Sequence, residues 1–133
     1  MTLPQKFLIL AAFGLSPIAL SYGLAPQTSL NWLFDISVNS TNATHIFRAV
    51  MGLYFAMVVF WLLGAFKHKY TQAALYSLVV FMLGLAAGRA VSLVVDGPAH
   101  WLLISYFLLE LAFGLVAIVM LHRLDSAKEA NAT

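Results

Sequence analysis

The sequence predicts an all-α integral membrane protein, a four-helix bundle with both termini on the cytoplasmic side. Three observations predict it. Of 133 residues, 62% are hydrophobic and only 9% are charged, where soluble domains carry about 25% charged residues. Four apolar runs, each near the roughly 20 residues a helix needs to cross a bilayer core, use almost the whole chain and leave no room for a soluble domain. The lysines and arginines outside these runs all fall on one side of them.

The first span is expected over residues 7–24, after the head Met1–Lys6. Lys6 ahead of an apolar stretch also fits a signal peptide, but the run is long for a signal core. Pro17 lies mid-span, where it removes a backbone donor and kinks the helix. The connection over residues 26–44 is the longest. In it Trp32-Leu33-Phe34 suits a short interfacial turn, and Thr41 or Asn42 suits a helix cap. Asn39 and Asn42 head glycosylation sequons, a motif frequent by chance.

The second span is expected over residues 45–66, ending at Lys67-His68-Lys69, and the third over 71–95. After the tight connection Asp96-Gly97-Pro98-Ala99, the fourth covers residues 100–121, followed by a polar tail. Tyr22, Trp32 and Trp101 suit one membrane interface, and Trp61, Tyr70 and Tyr76 the other. Lys6, Lys67, Lys69, Arg123 and Lys128 share one side, and the two connections on the other side hold no basic residue. The positive-inside rule therefore puts both termini and the second connection in the cytoplasm.

With no cysteine, thiol nucleophiles, disulfide exchange and thiolate metal sites are excluded within the chain. The formal charge of +2 is spread over hairpin ends and helix interiors. It forms no basic face, so no nucleic-acid partner is expected.

Arg48, Arg89 and Glu110 lie inside spans, and His45, Asp96 and His100 lie at span ends. A charge at a helix centre costs about 2.5–3.5 kcal/mol on insertion, so such residues normally face the bundle interior and a partner. The last two spans form a hairpin about Pro98-Ala99, which sets Arg89 and Glu110 at one depth. They are expected to form a buried charge pair. Arg89, Ser92 and Asp96 share a helix face; so do Tyr106, Glu110, Gly114 and Ala117, and so do His45, Arg48, Gly52 and Ala56. Three helices are thus expected to aim polar and small residues at one outer-half pocket. Gly84-x-x-x-Gly88 is expected to pack inside the bundle rather than form a dimer seam.

Within the pocket Arg48, His45, Tyr54 and Tyr106 are the candidate ligand contacts, with Ser92, Asp96 and His100 in support. Arg48 and Arg89 against Glu110 and Asp96 sum to zero, so a network that only fixes helix register is the competing account. Two histidines and a carboxylate suit zinc or iron, yet their spacing here does not demand a metal, and none is assigned.

Two elements, His45-Ile-Phe-Arg48 leading into Gly52-Leu-Tyr54, and Gly88-Arg89-x-x-Ser92 with Asp96-Gly97-Pro98, join Glu110 in a resemblance. The chain resembles the small bacterial membrane proteins of the domain of unknown function 4345, a family that looks related to DoxX-like four-helix proteins. The resemblance implies a four-helix fold in a bacterial inner membrane and no established activity. The expected function is binding of a small amphipathic molecule, a lipid or quinone, in the outer-half pocket, with membrane lipids and a homo-oligomer or larger membrane complex as the expected partners. Proton or ion translocation through an oligomer using Glu110, and a purely structural role in a membrane complex, are the alternatives. An enzyme is not expected, because neither nucleophile nor cofactor motif accompanies Glu110.

Overall fold

The computed structural model describes residues 1–133, and every regular element in it is helical. Helix α1 (Leu3–Gly23) opens on a capping box: the Thr2 hydroxyl accepts from the Gln5 amide, and the Gln5 side chain accepts from the Thr2 amide at 2.9 Å. Helix α2 (Pro26–Phe34) opens on a proline, whose missing N–H costs nothing in a first turn. It ends at Asp35, held at φ 57° in the left-handed region. The expected short turn at residues 32–34 is therefore the last turn of a longer helix that begins at Pro26.

Helix α3 (Thr41–Phe66) is capped by Ser40, whose Oγ accepts from the Ala43 amide at 3.1 Å. The expected cap was one or two residues later, and the helix starts four residues before the expected span. Lys67 alone separates α3 from α4 (His68–Val95). The Thr71 hydroxyl closes this reversal by donating to the Gly64 carbonyl at 2.7 Å. Gly97, at φ 96°, turns the chain between α4 and α5 (Trp101–Ala132). The polar tail is not loose: α5 continues through it, and its Asp125 and Lys128 both bond the Gln72 side chain of α4, at 3.0 and 2.9 Å.

Four helices, α1, α3, α4 and α5, are long and apolar enough to cross a membrane. They form a ring in which α1 packs closely on α3 and α4 closely on α5. The seams between these two pairs, α3 with α4 and α1 with α5, are looser. Leu8, Gly64 and Ala74 meet at one end, with both termini. Helix α2 lies across the other end, burying Pro26, Leu30 and Phe34 against the bundle.

Lipid, not water, surrounds such a ring, so apolar residues face outward freely. Phe13, Val59, Val80 and Val94 are exposed. What turns inward are aromatic and small residues that interlock. Trp61, expected at an interface, is fully buried, with its indole N–H donating to Ser77 Oγ at 3.1 Å. Tyr22 was also expected at an interface and is buried too. Trp32, Trp101 and Tyr76 do lie exposed.

Candidate functional site

The polar centre of the bundle is built on the hairpin of α4 and α5. Arg89 Nε donates to Glu110 Oε2 at 2.8 Å, and the Glu110 side chain is only 4% exposed. Arg89 Nη2 donates to the Tyr22 hydroxyl at 3.0 Å, which ties α1 to the pair. Aromatic rings wall the group. Tyr22 stacks on Phe34 and Phe47 and meets Tyr54 and Tyr106 edge-on. The Arg89 guanidinium lies 5.9 Å from the Tyr106 ring centroid, within reach of its π face. Tyr106, Glu110, Gly114 and Ala117 form the expected buried face of α5.

The expected convergence of three helices on one pocket does not occur. On α3 the face carrying His45, Arg48, Gly52 and Ala56 points away from the core and is exposed. Tyr54, Val58, Trp61 and Ala65 face inward instead. Periodicity groups residues on a face but does not say which face turns inward. The bulkier aromatic face won because it fills the space between helices. The four candidate contacts therefore split into two places.

Tyr54 and Tyr106 lie at the Arg89 centre. Arg48 and His45 line a polar, open cavity of about 790 Å³ at the α2 end of the bundle, with Gln27, Ser40 and Thr44. There Arg48 Nη1 donates to the Gly23 carbonyl at 3.2 Å, and no carboxylate pairs with it. Its role in the chain is thus to cap the C-terminal end of α1 by donating to a carbonyl there.

The supporting residues are also local. Ser92 donates to Asp96 Oδ2 at 2.7 Å on the exposed C-terminal turn of α4. His100 caps α5, its Nδ1 accepting from the Leu102 amide at 3.2 Å, and meets Phe34 edge-on. No three His, Asp or Glu side chains come close enough to hold a metal ion together.

Each loose seam opens as a cleft at the level of the charge pair. Between α3 and α4 a cleft of about 530 Å³ is walled by Val50, Leu53, Phe81 and Leu85, with Gly84 and Gly88 along α4. Tyr54 and Arg89 are its polar lining. A Cβ at Gly84 or Gly88 would meet nothing within 4 Å. The Gly-x-x-x-Gly stripe is therefore not used for packing inside the bundle, contrary to the sequence expectation. Its missing side chains are the space of the cleft. Between α1 and α5 a smaller cleft of about 140 Å³ is lined by Gly14, Ile18, Leu109 and Phe113 and reaches Glu110. Sequence reasoning missed Tyr22 and both clefts, since no local pattern links α1 to α4 or reveals a seam.

The hydrogen-bonding capacity of this centre is incompletely used. Arg89 Nη1 and Glu110 Oε1 make no hydrogen bond within the chain, and the Tyr54 hydroxyl lies beside the Arg89 guanidinium. No sealed polar side-chain atom lacks a partner. Glu110 lines the α1–α5 cleft, and Arg89 lines both the α3–α4 cleft and a cavity of about 110 Å³ between α4 and α5, with Leu103 and Phe107. An arginine offers five donors and a carboxylate about four acceptor positions. The centre can thus still give to an acceptor on one side and take from a donor on the other.

No curated protein and no solved structure matches the chain. Residues 3–121, a stretch that takes in Arg89, Glu110, Tyr22 and both clefts, match the domain of unknown function DUF4345, and the chain belongs to that family.

Proposed function

We propose that the chain binds a small amphipathic molecule, a lipid or quinone, taken laterally from the membrane into the α3–α4 cleft. One observation carries this reading: an apolar cleft, kept open by two glycines, ends on a half-used arginine with a tyrosine hydroxyl beside it. Pockets of a few hundred Å³ with apolar walls and few polar groups are the usual form of ligand sites. Arg89 and Tyr54 supply donors, which suit a carbonyl, phosphate or carboxylate head group. The tail would lie against Val50, Leu53 and Leu85. Arg48, exposed at the α2 end with His45, would meet head groups at the membrane surface rather than inside the cleft.

The reading is one of binding, not catalysis. Arg89 and Glu110 are committed to each other, and the hydroxyls beside them belong to tyrosines inside an aromatic cage. On this reading the five basic residues at the end with both termini face the cytoplasm, and the cleft lies in the outer half of a bacterial inner membrane.

The test is mass spectrometry of the lipids and cofactors that co-purify with gently extracted protein. Wild type should retain a specific molecule. Gly88→Leu, whose Cβ meets nothing within 4 Å and whose longer side chain occupies the cleft, should lose it while remaining folded. Identical profiles from the two proteins would refute the site.

A further inference from the structure

The opposite seam carries a separate observation. Glu110 is buried, and only its Oε2 is used, by Arg89. Oε1 accepts no hydrogen bond, although the residue lines the α1–α5 cleft, where every other lining group is apolar. A carboxylate oxygen facing hydrocarbon without a donor is costly. Lipid acyl chains, which can fill the space, carry no donor to relieve it.

Charge decides what kind of donor fits. Arg89 already neutralises Glu110, so an ammonium group here would leave an unpaired positive charge in the bundle. A hydroxyl relieves the oxygen without adding charge. Size narrows the choice further. The cleft holds about 140 Å³, close to the ~150 Å³ apolar cavity that accepts a benzene ring in another protein. Phe113 is part of the wall, and Gly14 leaves the α1 side free of a side chain.

We propose that the α1–α5 cleft is a second binding site, for a neutral apolar molecule bearing a hydroxyl, of alkylphenol size, that donates to Glu110 Oε1. The two clefts then have opposite preferences. The α3–α4 cleft offers donors from Arg89 and Tyr54, and the α1–α5 cleft offers an acceptor. One charge pair spans the bundle between them.

The experiment uses the full chain in lipid nanodiscs and two photoreactive probes, a diazirine-bearing alkylphenol and its methyl ether. They match in size and apolarity and differ in the donor. The phenol should label Ile18, Leu109 or Phe113 at least about ten-fold more than the ether, since one good hydrogen bond to a charged acceptor is worth that ratio. Gly14→Leu should abolish the labelling, because a Cβ there meets only the Phe113 ring edge at 4.0 Å and its longer side chain occupies the cleft. Gly88→Leu, in the other cleft, should leave it unchanged, which separates this site from the one proposed above. Equal labelling by phenol and ether would mean an acyl-chain slot only and would overturn the proposal. Should Gly14→Leu not fold, the phenol-to-ether ratio on wild type still decides.

Discussion

Arg89 lies in an apolar bundle at a depth where an isolated charge costs several kcal/mol, and it is held there by Glu110 and Tyr22. Removing one partner strands the other, which typically costs about 3–5 kcal/mol, whereas replacing both by apolar groups is often nearly neutral. Arg89→Met and Glu110→Leu should each destabilise the detergent-extracted protein by that order in chemical denaturation. The double variant should recover much of the loss, and simple additivity would show that the pair is not coupled. Tyr22→Phe removes one charge-assisted hydrogen bond and should cost less, about 1.5–3 kcal/mol. The pair itself was legible in the sequence, because a short hairpin fixes the relative depth of its two helices. Tyr22 was not. Near a helix end an aromatic reads equally well as an interface anchor, and only the packing of α1 against the α4–α5 hairpin separates the two.

At the scale of the helices, glycine has opposite uses on facing elements. On α5, a Cβ at Gly114 would run into the Leu83 side chain, so that glycine lets α4 and α5 approach closely. On α4, a Cβ at Gly84 or Gly88 would meet nothing within 4 Å, and the two glycines hold a cleft open. Gly114→Leu should therefore destabilise by about 1–3 kcal/mol through overpacking. Gly84→Leu and Gly88→Leu should stay within about 0.5 kcal/mol of wild type. Denaturation midpoints of the three variants check this ordering, and a large loss at Gly88 would mean that the seam is closed in the membrane. The helices themselves were readable from their apolar runs and caps to within a few residues, except that α2 falls in the expected first connection and the last turns of α5 in the expected polar tail. Helix rotation was less readable. In lipid the outward face is as apolar as the inward one, so hydrophobicity does not choose between Arg48-Gly52-Ala56 and Tyr54-Val58-Trp61. Shape does, and shape is not a property of one helix alone.

Across the whole molecule, two close helix pairs meet along two open seams, and the charge pair lies between the seams. This arrangement gives the four-helix prediction its content: the bundle is loosest where its polar centre can be reached from the side. The basic residues gathered at one end support the proposed orientation, with both termini in the cytoplasm. Single cysteines at Ser40 or Ala99 should react with an impermeant thiol reagent in intact cells, and cysteines at His68 or Ala127 should not. The reverse pattern would move both clefts to the inner leaflet. The central claim, that the α3–α4 cleft holds an amphipathic ligand, is tested most directly by an experimental structure of the protein extracted with its native lipids. The account predicts elongated density in the cleft along Gly84 and Gly88, with a polar atom within about 3 Å of Arg89 Nη1 or the Tyr54 hydroxyl. A helix of a second copy packed onto the two glycines, or an empty cleft, would contradict it.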